Sequence, residues 1–232
     1  MSRAGRILSI ALITAGLVVL ADAGLTLLWQ EPVSAAYGAL QQSRAGDQLD
    51  ELEDEFPSAE DLAALRGIGD DTERTRLLAE RFRDRIGDGD AIGRVRIDRI
   101  GLEIVLMEGT DTGTLQRGPG HYPSTDLPGM GDTIGIAGHR TTYLAPFRDI
   151  DDIRDGDEIV LEMPYATLTY RVQRHEIVAP TAVEIVDPVG HEQLVLTACH
   201  PLYSAAERYA VFAKLARIDA FALPGESRWP SP

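Results

Sequence analysis

The chain contains one cysteine, Cys199, which ends the apolar run LVLTAC. A lone cysteine is usually a small buried hydrophobe. To act as a nucleophile it needs a base or an imidazolium beside it, and a hydrogen-bond donor for the oxyanion that develops during acyl transfer. The residues that can supply these two groups therefore decide how Cys199 is interpreted.

Five histidines could supply the imidazole, and His139 is placed best. It follows the apolar run TIGIAG and precedes a polar loop. A residue at a strand end projects over the rim of a barrel, where side chains from distant segments meet. His200 adjoins Cys199, but neighbours on a strand point to opposite faces, so the two are badly placed to pair. Periodicity alone does not exclude the other three, which lie in turns or within a strand: His121, His175 and His191.

Arg208 could supply the hydrogen-bond donor. It lies nine residues after Cys199 and opens the run RYAVFAKLARID. If this run pairs with the strand that Cys199 ends, Arg208 returns to the same rim. Arginine cannot act as a base in a protein, but it can donate to an oxyanion or to substrate carbonyl groups. Taken alone, Arg208 fits a surface arginine better than a catalytic residue.

Short runs that alternate apolar and polar residues predict the strands that position these groups. Turn sequences rich in Gly, Pro and Asp separate them. Many short strands and few helical patterns favour a closed or nearly closed β-barrel. The predicted strands lie at 91–109, 131–139, 157–163, 167–179, 192–198 and 208–219.

The composition excludes several classes of partner. The formal net charge of −15 disfavours nucleic acid, because phosphate binding needs clustered Lys and Arg. One cysteine and five scattered histidines offer no zinc-type spacing. The acidic loop RDIDDIRDGDE lacks the calcium-loop register, because Ile153 falls where the third ligand should be. The sequence therefore predicts no metal and no cofactor.

The N-terminus predicts a membrane anchor. The apolar run Ile7–Trp29 would span ~34 Å as a helix, about one bilayer core. Arg3 and Arg6 precede it, which places the N-terminus in the cytoplasm and the rest of this single-pass protein outside the cell. A lone thiol there is open to oxidation, which favours a chemical use for it. The alternative is a cleaved signal peptide, since ADA at 21–23 fits a cleavage site and Asp22 is costly in lipid.

The segment at 30–90 is acidic and partly helical in pattern. Leu77, Leu78 and Phe82 fall near one helical face, and Gly87 and Gly89 stop the pattern. We interpret this segment as a solvated stalk, with a regulatory arm over the active site as the alternative. The predicted organisation is a cytoplasmic N-terminus at 1–6, an anchor at 7–29, a stalk at 30–90, a catalytic domain at 91–222 and a tail at 223–232.

Together these features resemble the sortases, the membrane-anchored cysteine transpeptidases of Gram-positive bacteria. The resemblance covers about residues 91–220 and includes IGRVRIDRIGLEIVLMEGT, GPGHYP and LVLTACHP. The tract AGHRTTYLAPF, followed by LTACHP and then by Arg208, is most similar to the class E sortases of actinobacteria.

The resemblance implies a mainly β fold, an eight-stranded barrel with short helices. It implies that Cys199 is the nucleophile, His139 the catalytic histidine and Arg208 the catalytic arginine. Such an enzyme cleaves secreted proteins after the threonine of a C-terminal sorting signal, typically LAxTG rather than LPxTG in class E. It then passes the thioacyl intermediate to an amine of a lipid-linked peptidoglycan precursor or of a pilin lysine.

The resemblance also indicates substrate-binding residues and one departure. The family pattern before the cysteine is T-L-x-T-C, and here valine and alanine replace the two threonines. The alanine keeps its backbone N–H but loses a hydroxyl. Three alternatives remain: a pilin-polymerising sortase, a non-catalytic surface β-barrel that binds a partner, and an L,D-transpeptidase, whose S-x-G-C-x-R tract is absent. The candidate substrate-binding residues are Tyr122, Thr141, Thr197 and Ala198.

Overall fold

Eight strands and five α-helices make up the part of the chain that the computed structural model describes, residues 3–28 and 32–223. The strands are β1 (Ala91–Ile97), β2 (Leu102–Glu108), β3 (Gly120–His121), β4 (Thr133–Gly138), β5 (Glu158–Met163), β6 (Ala166–Val178), β7 (Gln193–His200) and β8 (Glu207–Ala220). The helices are α1 (Arg3–Leu28), α2 (Pro32–Glu55), α3 (Ala59–Ala64), α4 (Asp71–Arg83) and α5 (Thr112–Leu115). Short 3-10 helices lie at Asp98–Ile100, Ile150–Asp152 and Val183–Val186.

The strands close into a barrel in the order β1-β2-β3-β4-β7-β8-β6-β5. The pairs β2–β3 and β4–β7 are parallel, and the other pairs are antiparallel. Because side chains alternate along a strand, one face of each strand fills the barrel. Leu194, Leu196 and Val211 are fully buried in this core. The predicted mainly β fold, a closed eight-stranded barrel with short helices, is confirmed.

Helix α1 contains the segment that predicted an anchor. Its 22 residues Arg3–Gly24 have a mean hydropathy of 2.1. At ~1.5 Å per residue they are long enough to cross a bilayer core. By length and composition this helix is a candidate membrane span. Trp29, the predicted end of the span, lies outside the described residues, as do residues 1–2 of the predicted cytoplasmic segment and the predicted tail from 224 onward.

Helix α2 packs on the barrel, which corrects the prediction of a solvated stalk at 30–90. Ala45 and Leu49 are fully buried in one apolar cluster with Val105 of β2. Gln42 bonds both backbone groups of Val105: its Nε2 donates to the carbonyl oxygen at 3.2 Å, and its Oε1 accepts from the N–H at 2.8 Å. The side chain of Gln42 thus ties α2 to a barrel strand.

Helix α4 and the segment before α3 extend the barrel core. Leu78 and Phe82 are buried with Phe56, and the ring of Phe82 lies 5.2 Å from that of Phe56 and 5.5 Å from that of Tyr165. The spacing of the apolar residues predicted the helix correctly, but it did not show that the barrel covers the apolar face. The domain boundaries themselves remain a prediction.

Candidate active site

Three of the predicted site residues lie at the ends of neighbouring strands. Cys199 and Arg208 are directly opposite each other in the antiparallel pair of β7 and β8. His139 is the first residue after β4, whose last residue, Gly138, is aligned with Ala198 in the parallel pair of β4 and β7. His139 directly follows Gly138 and Cys199 directly follows Ala198, so the two residues lie side by side on strands that are ~4.8 Å apart. The structure brings the three residues together in a row with Cys199 in the middle.

This row lies on the outer face of the barrel. Leu196 and Ala198 belong to the barrel core, whereas Val195 packs in a separate cluster with Phe212 of β8. Successive side chains of a strand alternate between faces, so Cys199 lies on the same face as Val195. The 3-10 helix at Val183–Val186 covers this second cluster. The side chain of Cys199 is therefore outside the barrel wall, on the face that also carries this second cluster.

Tyr122 and Thr197, two predicted substrate-binding residues, are bonded to each other. Their hydroxyl oxygens are 3.0 Å apart, and Thr197 is two residues from Cys199 on the same face. The Tyr122 ring fits only because residue 135 is glycine: a Cβ there would lie 2.5 Å from a ring carbon. A glycine on β4 thus makes room for the tyrosine beside the row.

His139 is held in a partly buried position. Burial lowers the pKa of its imidazole below the usual value. Its Nε2 is buried, and none of the described residues is within hydrogen-bonding distance of it. The ring of Tyr143 lies 5.3 Å from the imidazole, centroid to centroid. A neutral imidazole with an unoccupied nitrogen can accept a proton from a neighbouring thiol.

The thiol of Cys199 is half-buried and borders a cavity of about 290 Å³. Thr141, another predicted substrate-binding residue, also borders this cavity. The remaining walls come from the loop between β7 and β8 and from the residue after His139: Tyr203, Ser204, Ala205 and Arg140. Cys199 is thus open to a small group that approaches past the strand ends.

The guanidinium of Arg208 is turned towards its own loop. Its Nη1 donates to the carbonyl oxygens of Ala205 at 3.1 Å and of Glu207 at 2.9 Å. To reach an oxyanion at Cys199, the side chain must exchange these exposed hydrogen bonds for a bond to substrate. Because Arg208 is directly opposite Cys199 in the ladder, a rotation of its side chain, without a backbone movement, is enough for that exchange.

Ala198, the fourth predicted substrate-binding residue, points the other way. Its side chain is 2 % exposed and belongs to the barrel core, so it cannot contact a substrate on the outer face. The physical reason is the strand alternation that also separates His200 from Cys199. Of the two threonines that the sequence lacks, only the one at Val195 would lie on the outer face.

Arg140 is a residue of the site that sequence reasoning missed. It is 4 % exposed, and its guanidinium contacts the carboxylate of Asp151 at 2.5 Å and the Nδ1 of His200 at 3.1 Å. The available signal was its place directly after His139, which puts its side chain on the opposite face. Sequence alone did not indicate what it meets there.

Helix α2 contacts the loop that follows His139. The hydroxyl of Ser34 accepts from the backbone N–H of Tyr143 at 3.3 Å, and the ring of Tyr37 lies 6.3 Å from that of Tyr143. A left-handed backbone costs ~1–3 kcal/mol for a non-glycine residue and persists where the surroundings hold it. The residues with this backbone are Tyr143 (φ 50°), Leu144 (φ 67°) and Ala145 (φ 43°).

Comparison with known proteins adds relatives for this site. The family model described as "Sortase domain" matches residues 95–216. Sortase D of Bacillus subtilis (strain 168) is 33% identical over 131 residues, which are 54% of this chain and 64% of that protein. Sortase SrtE1 of Streptomyces coelicolor is 29% identical over 143 residues, 55% of this chain and 41% of that protein. The chain spans less than two thirds of either relative.

Solved structures give the same family. Sortase E from Streptomyces avermitilis matches with a TM-score of 0.54 and 33% identity, over 58% of this chain and 93% of that one. A sortase D5 transpeptidase from Clostridium perfringens matches with a TM-score of 0.60 and 25% identity, over 75% of this chain and 99% of that one. The matched family model covers more than half of the chain and includes the row of His139, Cys199 and Arg208, and the chain accordingly belongs to the sortase family.

Proposed function

We propose that this sortase is a membrane-anchored cysteine transpeptidase of class E type. It cleaves a C-terminal sorting signal of the LAxTG or LPxTG kind after the threonine, holds the acyl part as a thioester on Cys199, and transfers it to an amine. The observation that carries the proposal is the row of His139, Cys199 and Arg208 at aligned ends of three neighbouring strands.

In this mechanism, Cys199 attacks as the thiolate, because the thiolate is the nucleophile. The lowered pKa of His139 keeps most imidazoles neutral at neutral pH. The productive form arises when the proton moves from the thiol to His139, and it is a minority of the population. The imidazolium so formed is a stronger acid than usual, which suits it to protonate the leaving glycine amine.

Arg208 stabilises the oxyanion of the tetrahedral intermediate or orients the carbonyl groups of the sorting signal. A donor of this kind contributes about 3 kcal/mol of transition-state stabilisation in comparable sites. Its exposed bonds to Ala205 and Glu207 are replaced when substrate arrives. Arg208 acts as a donor only, because its guanidinium does not lose its proton.

The second half-reaction needs an amine at the same carbon. The cavity beside Cys199 gives the leaving glycine a way out and the acceptor amine a way in. His139, neutral after the first step, takes a proton from the attacking amine as the thioester breaks, and the thiolate is regenerated. The acceptor is the amine of a lipid-linked peptidoglycan precursor or a pilin lysine.

The class E assignment and the LAxTG preference rest on similarity and on Tyr122. The sequence is 33% identical to the solved sortase E of Streptomyces avermitilis. Tyr122 resembles the class E tyrosine linked to alanine at the second signal position, and its hydroxyl bonds Thr197 on the face that carries Cys199.

The membrane assignment rests on α1 and its flanks. The apolar segment is long enough to cross a bilayer, and Arg3 and Arg6 favour a cytoplasmic N-terminus. The barrel is then outside the cell, where secreted substrates and lipid-linked acceptors both arrive.

The test uses the full-length protein in detergent, mixed with an LAxTG peptide and separately with an LPxTG peptide. Mass measurement is expected to show a thioacyl adduct with the LAxTG peptide, and the adduct is expected to be absent in Cys199→Ala. An added amine is expected to release the peptide as an amide. The absence of both an adduct and cleavage with either peptide would refute the transpeptidase proposal. An adduct that forms only with the LPxTG peptide would refute the class E preference.

A further inference from the structure

The residues that follow the three members of the row also meet, on the opposite face of the sheet. They are Arg140 after His139, His200 after Cys199, and Tyr209 after Arg208. Arg140 Nη1 lies 3.1 Å from His200 Nδ1, and the Arg140 guanidinium carbon lies 6.0 Å from the centre of the Tyr209 ring. The His200 and Tyr209 rings are 5.7 Å apart. Each strand end therefore contributes one residue to the row on the outer face and the next residue to this group on the opposite face.

Arg140 is the centre of this second group, and each nitrogen of its guanidinium has a partner. Nε donates to the carbonyl oxygen of Arg148 at 3.1 Å, Nη1 faces His200, and Nη2 contacts the Asp151 carboxylate at 2.5 Å. A buried arginine stays charged and is stable only when it is paired and hydrogen-bonded. Asp151 supplies the opposite charge from the 3-10 helix at Ile150–Asp152.

The bond to His200 fixes the state of that imidazole. A guanidinium only donates, so His200 Nδ1 must accept and the ring proton must be on Nε2. The hydrogen bond thus fixes the tautomer of His200 and ties the end of β7 to Arg140.

The row itself carries no such ties. His139 Nε2 has no partner among the described residues, and Arg208 bonds carbonyl groups of its own exposed loop. The separation of the reacting side chains must then be set by the backbone, and the backbone ends are joined on the far side of the sheet.

We propose that Arg140 is a positioning residue, which holds the ends of β4, β7 and β8 at fixed separations and thereby sets the distance between Cys199 and His139. The inference rests on the proposed function, in which Cys199 and His139 exchange a proton. The planar guanidinium fork of Arg140 is suited to this task, because it bonds three partners, Arg148, Asp151 and His200, in fixed directions.

The test compares Arg140→Met and Arg140→Lys with the wild type as full-length proteins in detergent. A misplacement of ~1 Å can cost about 100-fold in rate, so kcat for peptide cleavage by Arg140→Met is expected to fall by about 100-fold. KM is expected to stay within about threefold, because Tyr122 and Thr197 are untouched and Arg140, although it borders the cavity beside Cys199, is only 4 % exposed. Arg140→Lys is expected to recover less than a tenth of the wild-type kcat, because lysine keeps the charge and loses the fork.

Arg94→Met is the matched control. Arg94 also joins two elements through ion pairs, to Asp50 at 2.7 Å and to Glu53 at 2.9 Å, but it lies on β1 away from the row. Its loss is expected to leave kcat unchanged. An equal fall of kcat in Arg94→Met and Arg140→Met would overturn the proposal, as would an unchanged kcat in Arg140→Met.

A second readout does not depend on any sorting signal. Cys199 is the only thiol, so the pH dependence of its alkylation by iodoacetamide reports its proton exchange with His139. The midpoint is expected to shift in Arg140→Met and not in Arg94→Met. Identical midpoints would refute the positioning role, whereas a shift in a protein that cleaves no peptide would refute only the transpeptidase function.

His200 provides a further pair of variants if Arg140→Met does not fold. His200→Asn keeps a hydrogen-bond acceptor for Arg140, and His200→Phe removes it. We expect His200→Asn to retain at least ten times the kcat of His200→Phe. Equal activity of the two variants would contradict a role for the bond between Arg140 and His200.

Discussion

Gly135→Ala tests whether the position of Tyr122 matters to the reaction. The added Cβ would lie 2.5 Å from the tyrosine ring and 3.1 Å from a methyl group of Val186. Carbon atoms in contact are ~3.5 Å or more apart, so the ring must retreat by about 1 Å. The bond of 3.0 Å between Tyr122 and Thr197 then opens to ~4 Å and is lost.

The loss of one net hydrogen bond is worth ~1 kcal/mol, which corresponds to about a fivefold fall in kcat/KM for an LAxTG peptide. The assay is peptide cleavage under steady-state conditions by the full-length protein in detergent. Tyr122→Phe removes the same bond without a clash and is expected to give a similar fall. Gly46→Ala on α2 is the control, because a Cβ there meets nothing within 4 Å.

The double variant decides the argument. If both substitutions act through the bond to Thr197, Gly135→Ala adds no further loss to Tyr122→Phe, because coupled sites are not additive. Multiplication of the two losses in the double variant would refute the reasoning. So would an unchanged kcat/KM in Gly135→Ala.

Three further predictions concern stability and pH. Phe82→Ala is expected to lower the free energy of unfolding by about 4 kcal/mol, because a fully buried ring is lost from the core. Arg76→Ala, on the exposed face of α4, is expected to change it by less than about 0.5 kcal/mol. Urea unfolding measures both free energies, and equal values would mean that α4 does not pack on the barrel. Burial lowers the folded-state pKa of His139, so as the pH falls below the unfolded value of 6.5 the unfolded chain binds this proton first and stability declines; His139→Asn is expected to flatten that decline, and an unchanged profile would contradict it. Ala198→Thr is expected to overpack the core and lower the free energy of unfolding by ~1–3 kcal/mol, while KM for the peptide stays unchanged because the side chain faces away from the row; a changed KM with unchanged stability would mean that this side chain faces the substrate.

The row of side chains could be predicted from the sequence because it depends on strand ends. The nine-residue spacing of Cys199 and Arg208 fits two antiparallel strands joined by a short loop, and the ladder pairs these two residues directly. The same reasoning made His139 the best-placed histidine, because it follows an apolar run, but only the resemblance to the sortases chose it over the other histidines. Local pattern carries this information, so the rim of the barrel was accessible without coordinates.

The errors came from long-range packing and from an incomplete use of alternation. Alternation separated His200 from Cys199, and the same argument puts Ala198 in the core, where the structure has it. The apolar residues of α4 were visible as a helical face, but no local pattern shows which surface covers such a face, and the acidic sequence of α2 did not indicate its contact with the barrel. The left-handed backbone at Tyr143 has no sequence signal either, since no glycine marks it.

The bond between Ser34 and the loop after His139 limits how far the reaction can take place from a bilayer. Five residues separate Leu28, the last residue of α1, from Ser34, and the six steps of chain between these two residues reach at most ~20 Å. Where α1 spans a membrane, the thiol of Cys199 therefore lies within a few nanometres of the lipid headgroups. In the proposed reaction, a substrate protein would then present its sorting signal on an extended tail close to the bilayer, with its own folded domain held further out.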